Sequence, residues 1–238
     1  GLGSETTLAA GEGDNIVLGD EGFVQYQDQG RTETTSVLEE IASLFLDNSA
    51  PGDADTDTFV QGGNETITTG AGDDLVIGGL GNDDIKAGNG VNIVLGDEGG
   101  ITFQAASGLR LRIASQYLDG SGRSALTAGG ASVGNDTIET GTGDDVIIGG
   151  LGSETTLAAG EGNNIVLGDE GFVQYQNQAD TNTTSVLAEV TSKFLNGSSG
   201  FVQGGNDTIT SGAGDDLVIG GLGNDDIEIG NGDNIVIG

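Results

Sequence analysis

The sequence predicts an all-β chain: a parallel β-roll, or β-solenoid, of nine-residue turns with β-hairpin excursions between blocks of turns. Three observations carry that expectation. The 238 residues include 47 glycines and 1 proline, a segment recurs every 71 residues, and within each recurrence glycine returns with a period of nine. Periods of this kind belong to stacked repeat architectures, in which each repeat buries its apolar side only against its neighbours.

The long period sets the organisation. QGGNETITTGAGDDLVIGGLGNDDI begins at Gln61, SVGNDTIETGTGDDVIIGGLGSETT at Ser132 and QGGNDTITSGAGDDLVIGGLGNDDI at Gln203. The chain therefore divides into modules at 1–60, 61–131, 132–202 and 203–238, the first and last of them partial. Residues 61–96 and 203–238 differ at 6 of 36 positions, and GLGSETTLAAGEGDNIVLGDEGFVQYQ from Gly1 returns almost unchanged from Gly150, so two module types alternate. Both ends fall inside a module, and the sequence reads as a window on a longer chain.

Composition narrows the chemistry. The chain has no His, Cys, Met or Trp, which removes imidazole and thiolate nucleophiles, His-based acid/base pairs and the common nitrogen or sulfur zinc sites. Thirty-eight Asp and Glu against 6 Lys and Arg give a net charge of -32, which repels nucleic acid and anionic lipid. Hard oxygen donors remain in quantity, and their natural counterion is calcium or another hard cation. With 34% hydrophobic and 4% aromatic residues, only a thin, repetitive core can be filled. No apolar run approaches the ~20 residues of a membrane span.

The short period sets the local structure. From Gly212, GAGDDLVIG, GLGNDDIEI and GNGDNIVIG follow one another, with glycine at the first and third places, Asp or Asn at the fifth and an apolar residue at the seventh; QGGNDTITS precedes them in the same register. Paired glycines allow a tight loop with positive φ, the fifth place sets an oxygen-bearing side chain at that loop, and the x-apolar-x segment is a short strand with one side chain inward. Two nonamers complete one coil, so fifth places 18 residues apart should stack: Glu65 with Asp83, Asp74 with Asn92, Asp136 with Glu154, Asp145 with Asn164, Asp207 with Asp225, and Asp216 with Asn234.

This pattern resembles the hemolysin-type, repeats-in-toxin (RTX) nonapeptide, over roughly half of the chain in four blocks. The resemblance implies a calcium-stabilised β-roll with ions between stacked loops, held by backbone carbonyls and by Glu65, Asp74, Asp83, Asn92, Asp136, Asp145, Asn164, Asp207, Asp216, Asp225 and Asn234. Two departures bear on that ligand set. Every fourth turn has Asn at its fifth place (Asn15, Asn92, Asn164, Asn234), which supplies a neutral oxygen and marks the weak end of an ion row. SETTLAA at Ser153–Ala159 carries one extra residue, which moves the inward place from Thr156 to Leu157 and makes Glu154, with its equivalent Glu5, a doubtful ligand.

The seventh places Ile67, Val76, Ile85, Val94, Ile138, Ile147, Val166, Ile209, Val218, Ile227 and Val236 form the expected core. Their neighbours separate two faces. First and third turns are flanked by polar residues such as Thr66, Thr68, Asp84 and Lys86; second and fourth turns by Leu75 and Ile77, Ile93 and Leu95, Val146 and Ile148, Ile165 and Leu167, Leu217 and Ile219, Ile235 and Ile237. One sheet should therefore meet water while the other carries an apolar outer face that something must cover. The expected cover is the excursion at 22–60, 100–131 and 171–202. VLEEIASLFL from Val37 fits a helix face, but its counterpart LRLRIASQY from Leu109 alternates with period two, so a β-hairpin is the shared expectation. Phe23, Tyr26, Phe103, Tyr117, Phe172 and Tyr175 are expected to pack.

The functional expectation is non-catalytic. Paired acids such as Asp73-Asp74 recur in every module, as a catalytic site seldom does, and no glycine-rich stretch has the Lys of a phosphate loop. Sequons at Asn64, Asn135, Asn182, Asn196 and Asn206 are potential glycan acceptors, three of them explained by nonamer composition alone. The reading is a secreted, extracellular or cell-surface structural segment: a filament, matrix, surface layer or adhesin stalk, self-associating into fibres or bundles, with any cell-surface or glycan partner bound through parts outside this window. The alternative is a calcium-dependent folding and secretion module of a larger toxin or hydrolase.

Overall fold

In the computed structural model, residues 6–20, 22–28, 36–43, 62–104, 108–115, 134–177, 185–192 and 204–238 are described. They contain β-strands and no helix. Two seven-stranded parallel sheets form the roll. The first contains β1 (Thr6–Gly11), β5 (Glu65–Thr69), β7 (Asp84–Lys86), β11 (Thr137–Glu139), β13 (Thr156–Ala158), β17 (Thr208–Ser211) and β19 (Asp226–Ile229), in that spatial order. The second contains β2 (Ile16–Leu18), β6 (Leu75–Ile77), β8 (Ile93–Leu95), β12 (Val146–Gly150), β14 (Ile165–Asp169), β18 (Leu217–Ile219) and β20 (Ile235–Ile237). Odd turns thus build one sheet and even turns the other, and the register pairs Ile67 with Ile85 and Val76 with Val94, 18 residues apart.

Between the sheets lies the expected core: Ile67, Val76, Ile85, Val94, Ile138, Ile147, Val166, Ile209 and Val218 are all fully buried. Leu157 takes the inward place in β13, as the extra residue requires. Ala87 and Ala159 join from the ninth place of their turns, which the period did not single out. Val236 departs from expectation: it is 48% exposed, because β20 ends its sheet and no described turn stacks beyond it.

The excursions are hairpins. β3 (Gly22–Asp28) pairs with β4 (Ser36–Ser43), β9 (Gly99–Phe103) with β10 (Arg110–Ser115), and β15 (Gly171–Asn177) with β16 (Ser185–Ser192), all antiparallel. Val37–Ser43 is therefore strand, not helix; the rest of VLEEIASLFL, and Tyr117, lie outside the described residues. The hairpins also pair with one another, β4 with β9 and β10 with β15, into one six-stranded sheet. Its inner face is an apolar rung running Ile41, Ile101, Ile113, Val173 and Val190 across adjacent strands.

That rung packs against Ile77, Ile93, Leu95, Val146, Ile148 and Leu167 of the second roll sheet. The greasy outer face is thus covered by the chain's own excursions, and the molecule has three layers. Ile235 and Ile237 stay more than half exposed. Tyr26 is also exposed, contrary to the packing expectation, because β3 forms an edge of the outer sheet; its equivalent Tyr175 is partly buried against the apolar layer. Phe172 is buried beneath the Arg112 guanidinium, 4.9 Å from the ring centre.

Candidate metal centre

Each turn delivers its fifth residue to the rim of the roll by the same device. Gly90 has φ 136°, and a Cβ on it would lie 1.9 Å from the carbonyl oxygen of Gly72 in the turn beneath. Loop backbones are stacked at a spacing only glycine allows. Two rows of fifth-place side chains result. One leads into the first sheet: Glu65, Asp83, Asp136, Glu154, Asp207 and Asp225. The other leads into the second: Asn15, Asp74, Asn92, Asp145, Asn164, Asp216 and Asn234. Most of these are buried; Asp225 and Asn234, in the last two turns, are half-buried.

A backbone ladder fixes both rows. In the first, Glu65 N–H donates to Asp83 Oδ1 (2.8 Å), Asp83 N–H to Asp136 Oδ1 (2.9 Å), Glu154 N–H to Asp207 Oδ1 (3.0 Å) and Asp207 N–H to Asp225 Oδ1 (3.2 Å). In the second, Asn15 N–H donates to Asp74 (2.8 Å), Asp74 N–H to Asn92 (3.1 Å), Asn92 N–H to Asp145 (2.7 Å), Asp145 N–H to Asn164 (3.0 Å), Asn164 N–H to Asp216 (3.0 Å) and Asp216 N–H to Asn234 (2.9 Å). The ladder takes Oδ1 of each aspartate in both rows and turns the second oxygen of Asp74, Asp83, Asp136, Asp145 and Asp207 inward.

Those inward oxygens decide the chemistry. Asp83 Oδ2, Asp136 Oδ2, Asp207 Oδ2 and both oxygens of Glu154 are buried with no N–H or hydroxyl donor. Such groups are costly unless a proton or a cation neutralises them. Asp136 Oδ2 lies against bare backbone, 2.3 Å from where a Cβ on Gly96 would stand, and Asp207 Oδ2 lies 2.3 Å from that of Gly168. Glycine at the end of the fourth turn thus leaves a cradle that any side chain would fill.

Three further carboxylates enter the first row from outside the nonamer pattern. Asp20, Asp97 and Asp169 directly follow a fourth turn, where the excursion departs. Asp97 accepts from Leu151 N–H and Gly134 N–H, and Asp169 from Leu222 N–H and Gly205 N–H. Each ties the start of an excursion to its return. Carboxylate oxygens of Glu154, Asp169 and Asp207 lie within 4.8 Å of one another. Asp83, Asp97 and Asp136 are the equivalent trio one module earlier. Glu154, doubtful from its register, is therefore fully placed; Glu5 lies outside the described residues. The signal for the missed aspartates was the Gly-Asp-Glu-Gly that follows the fourth turn at Gly19, Gly96 and Gly168.

Electrostatics follow the same geometry. Burial, then the Asp136 charge, pushes Asp83 up to about 9. Burial lifts Asp136 to about 7 and Asp169 to about 7, and holds Asp97 well above the usual carboxylate range. Burial, then Asp207, raises Glu154 to about 12. In the second row burial takes Asp145 to about 6. A trio of hard oxygens with flexible backbone carbonyls nearby suits calcium, whereas zinc finds no nitrogen or sulfur ligand in the chain.

These shifts give a signed expectation for the calcium-free chain. A carboxyl whose pKa is raised on folding binds its proton more tightly when folded, so its contribution to stability is present below the unfolded value of 3.8 and is lost as pH rises through about 7 for Asp136 and about 9 for Asp83. In chelator, β-structure should therefore grow on acidification from pH 9 to pH 4, as read by far-ultraviolet circular dichroism; a fall would contradict the placement of these acids.

The described sequon asparagines have structural work: the Oδ1 atoms of Asn64, Asn135 and Asn206 accept N–H bonds from Asn82, Ser153 and Asn224. Asn182 and Asn196 lie outside the described residues. Lys86 forms ion pairs with Asp84 (3.7 Å) and Glu139 (3.9 Å) on the wet face, all half-exposed. They contribute little.

Among curated proteins and among solved structures, no match to the chain is found. The family described as the RTX calcium-binding nonapeptide repeat matches in four copies, over residues 59–94, 131–155, 156–172 and 202–238. The matched segments contain the fifth-place residues of both rows from Glu65 to Asn234. The repeats bind calcium, and the chain belongs to the RTX nonapeptide-repeat proteins.

Proposed function

We propose that the chain is a structural segment of a secreted, extracellular protein, a filament, matrix or surface-layer or adhesin stalk, and that it catalyses no reaction. The observation that carries this reading is the outer sheet. Ile41 pairs with Ile101 and Ile113 with Val173, so hairpins from successive modules hydrogen-bond directly to one another. Both roll sheets also continue across every module junction, as in the pairing of Ile85 with Ile138 and Val94 with Ile147. All three layers are continuous, which leaves no hinge between modules. A module that serves only folding or secretion has no need of a covering sheet spliced along its length.

Each module adds two strands to each roll sheet, so the rod should lengthen by about 10 Å per module at the ordinary strand spacing. Small-angle scattering and electron microscopy of chains with increasing module number, in millimolar calcium, would measure this. Linear growth of a straight rod is the expected result; beads on linkers, or a length independent of module number, would overturn the reading.

A further inference from the structure

Resting on calcium binding by the repeats but not on the filament reading, we propose that the asparagine turns of the second row hold no calcium. Their own carboxamide stands where the ion would sit, and the neighbouring aspartate turns of that row are the ones that load.

In all four asparagine turns the side-chain NH2 donates to the first glycine carbonyl of its own turn, in three of them also to the third, and in two to the next turn's aspartate. Asn92 Nδ2 donates to the carbonyl oxygens of Gly88 and Gly90, the first and third residues of its own turn, both at 3.2 Å. Asn164 Nδ2 donates to Gly160 O (3.3 Å), Gly162 O (3.0 Å) and Asp216 Oδ1 (3.0 Å). Asn15 Nδ2 donates to Gly11 O (3.0 Å), Gly13 O (2.5 Å) and Asp74 Oδ1 (2.9 Å), and Asn234 Nδ2 to Gly230 O (3.1 Å). Two loop carbonyls and a carboxylate from the next turn thus converge on one point in Asn15 and Asn164, and the group at that point is an NH2. The amide oxygen, the atom a ligating asparagine would offer, is already used by the N–H of the turn before in Asn92, Asn164 and Asn234.

An aspartate in the same frame has no proton to give the glycine carbonyls. Asp74 Oδ2 is buried without a donor, and Asp216 Oδ2 accepts only the Ser211 hydroxyl (2.7 Å), so neither carboxylate offers a hydrogen to the glycine carbonyls of its loop. The substitution is close to isosteric but opposite in sign: NH2 supplies positive hydrogens to the acceptors, whereas a carboxylate demands a cation between them. Alternation also separates the second row's carboxylates by a neutral turn, which lowers their mutual repulsion. The first row has acids in succession and no such relief.

The test uses the full chain in saturating calcium, with bound ions counted by equilibrium dialysis of radiolabelled calcium. Asn92→Asp with Asn164→Asp should bind about two more ions per chain than the parent, one for each converted turn. Asn92→Ala with Asn164→Ala should leave the count unchanged while lowering the melting temperature, because the glycine carbonyls lose their donors. Loss of ions in the alanine pair would show that these asparagines are ligands and overturn the proposal, as would an unchanged count in a folded aspartate pair. Should the aspartate pair fail to fold, the alanine pair still decides. A parent chain that binds no calcium would instead refute calcium binding itself.

Discussion

In chelator at neutral pH the chain is expected to lose nearly all of its β-structure, and to regain it cooperatively as calcium rises to millimolar. The core between the roll sheets is one aliphatic side chain wide, so apolar burial alone is set against the conformational entropy of the whole chain. The first row adds a direct opposition. Without a cation, Asp83, Asp97, Asp136, Glu154, Asp169 and Asp207 must either take up protons far above their ordinary range or repel one another in a medium that screens poorly. Opening the coils relieves that repulsion, and a net charge of -32 keeps the opened chain expanded.

Each ion that binds only the folded form adds about 2.7 kcal/mol at a hundredfold excess over its dissociation constant, so a few filled sites match the ordinary stability of a domain. Circular dichroism should change from coil to β, and the radius of gyration by scattering should fall from about 50 Å, the scale of an unfolded chain of this length. Magnesium at the same concentration should not substitute, because it holds its waters and demands a tighter octahedron. Equal β-content with and without chelator would sink the idea.

The sequence made the repeating parts of this structure legible, because a period is a statement about which residues share a position. The seventh-place core, the wet and greasy faces and the hairpin cover all follow from Ile67, Leu75 or Ile113 having equivalents at fixed offsets. What escaped were features that break the period or depend on loop geometry. Asp97 and Asp169 stand one residue beyond the last nonamer of a block, and only the fold shows that a chain leaving for the outer sheet passes the first row as it goes.

Glu154 looked displaced because one residue is added after it. In the fold, Asp136 O accepts from both Thr155 N–H (2.9 Å) and Thr156 N–H (3.5 Å), a local bulge that absorbs the extra residue and leaves Glu154 in line. The asparagines are a third case. Composition tells that Asn92 is neutral; only the backbone around it tells which end of its amide meets the glycine carbonyls.

The second large effect is expected at the buried interface between the roll and its cover. Ile148 is 1% exposed, and its strand neighbours on either side are Leu95 and Leu167, all three facing the outer sheet. Ile148→Asp removes a side chain whose burial contributes about 1.5–3 kcal/mol and puts a carboxylate among aliphatic groups with no partner, a change that costs several kcal/mol more. On the opposite sheet, Thr68 is exposed and stands beside Lys86 in the neighbouring strand. Thr68→Asp gains a cation across the ladder and should alter stability by less than about 1 kcal/mol. Both variants add one negative charge, so the overall electrostatic change is matched and only the face differs. Melting followed by circular dichroism in saturating calcium should show a large drop for Ile148→Asp and almost none for Thr68→Asp. Limited proteolysis should find the hairpins of the first variant cleaved while the calcium-bound roll resists longer, since the cover is the layer that loses its seat. If Thr68→Asp proves the more damaging, the polar face is the covered one and the three-layer arrangement is inverted.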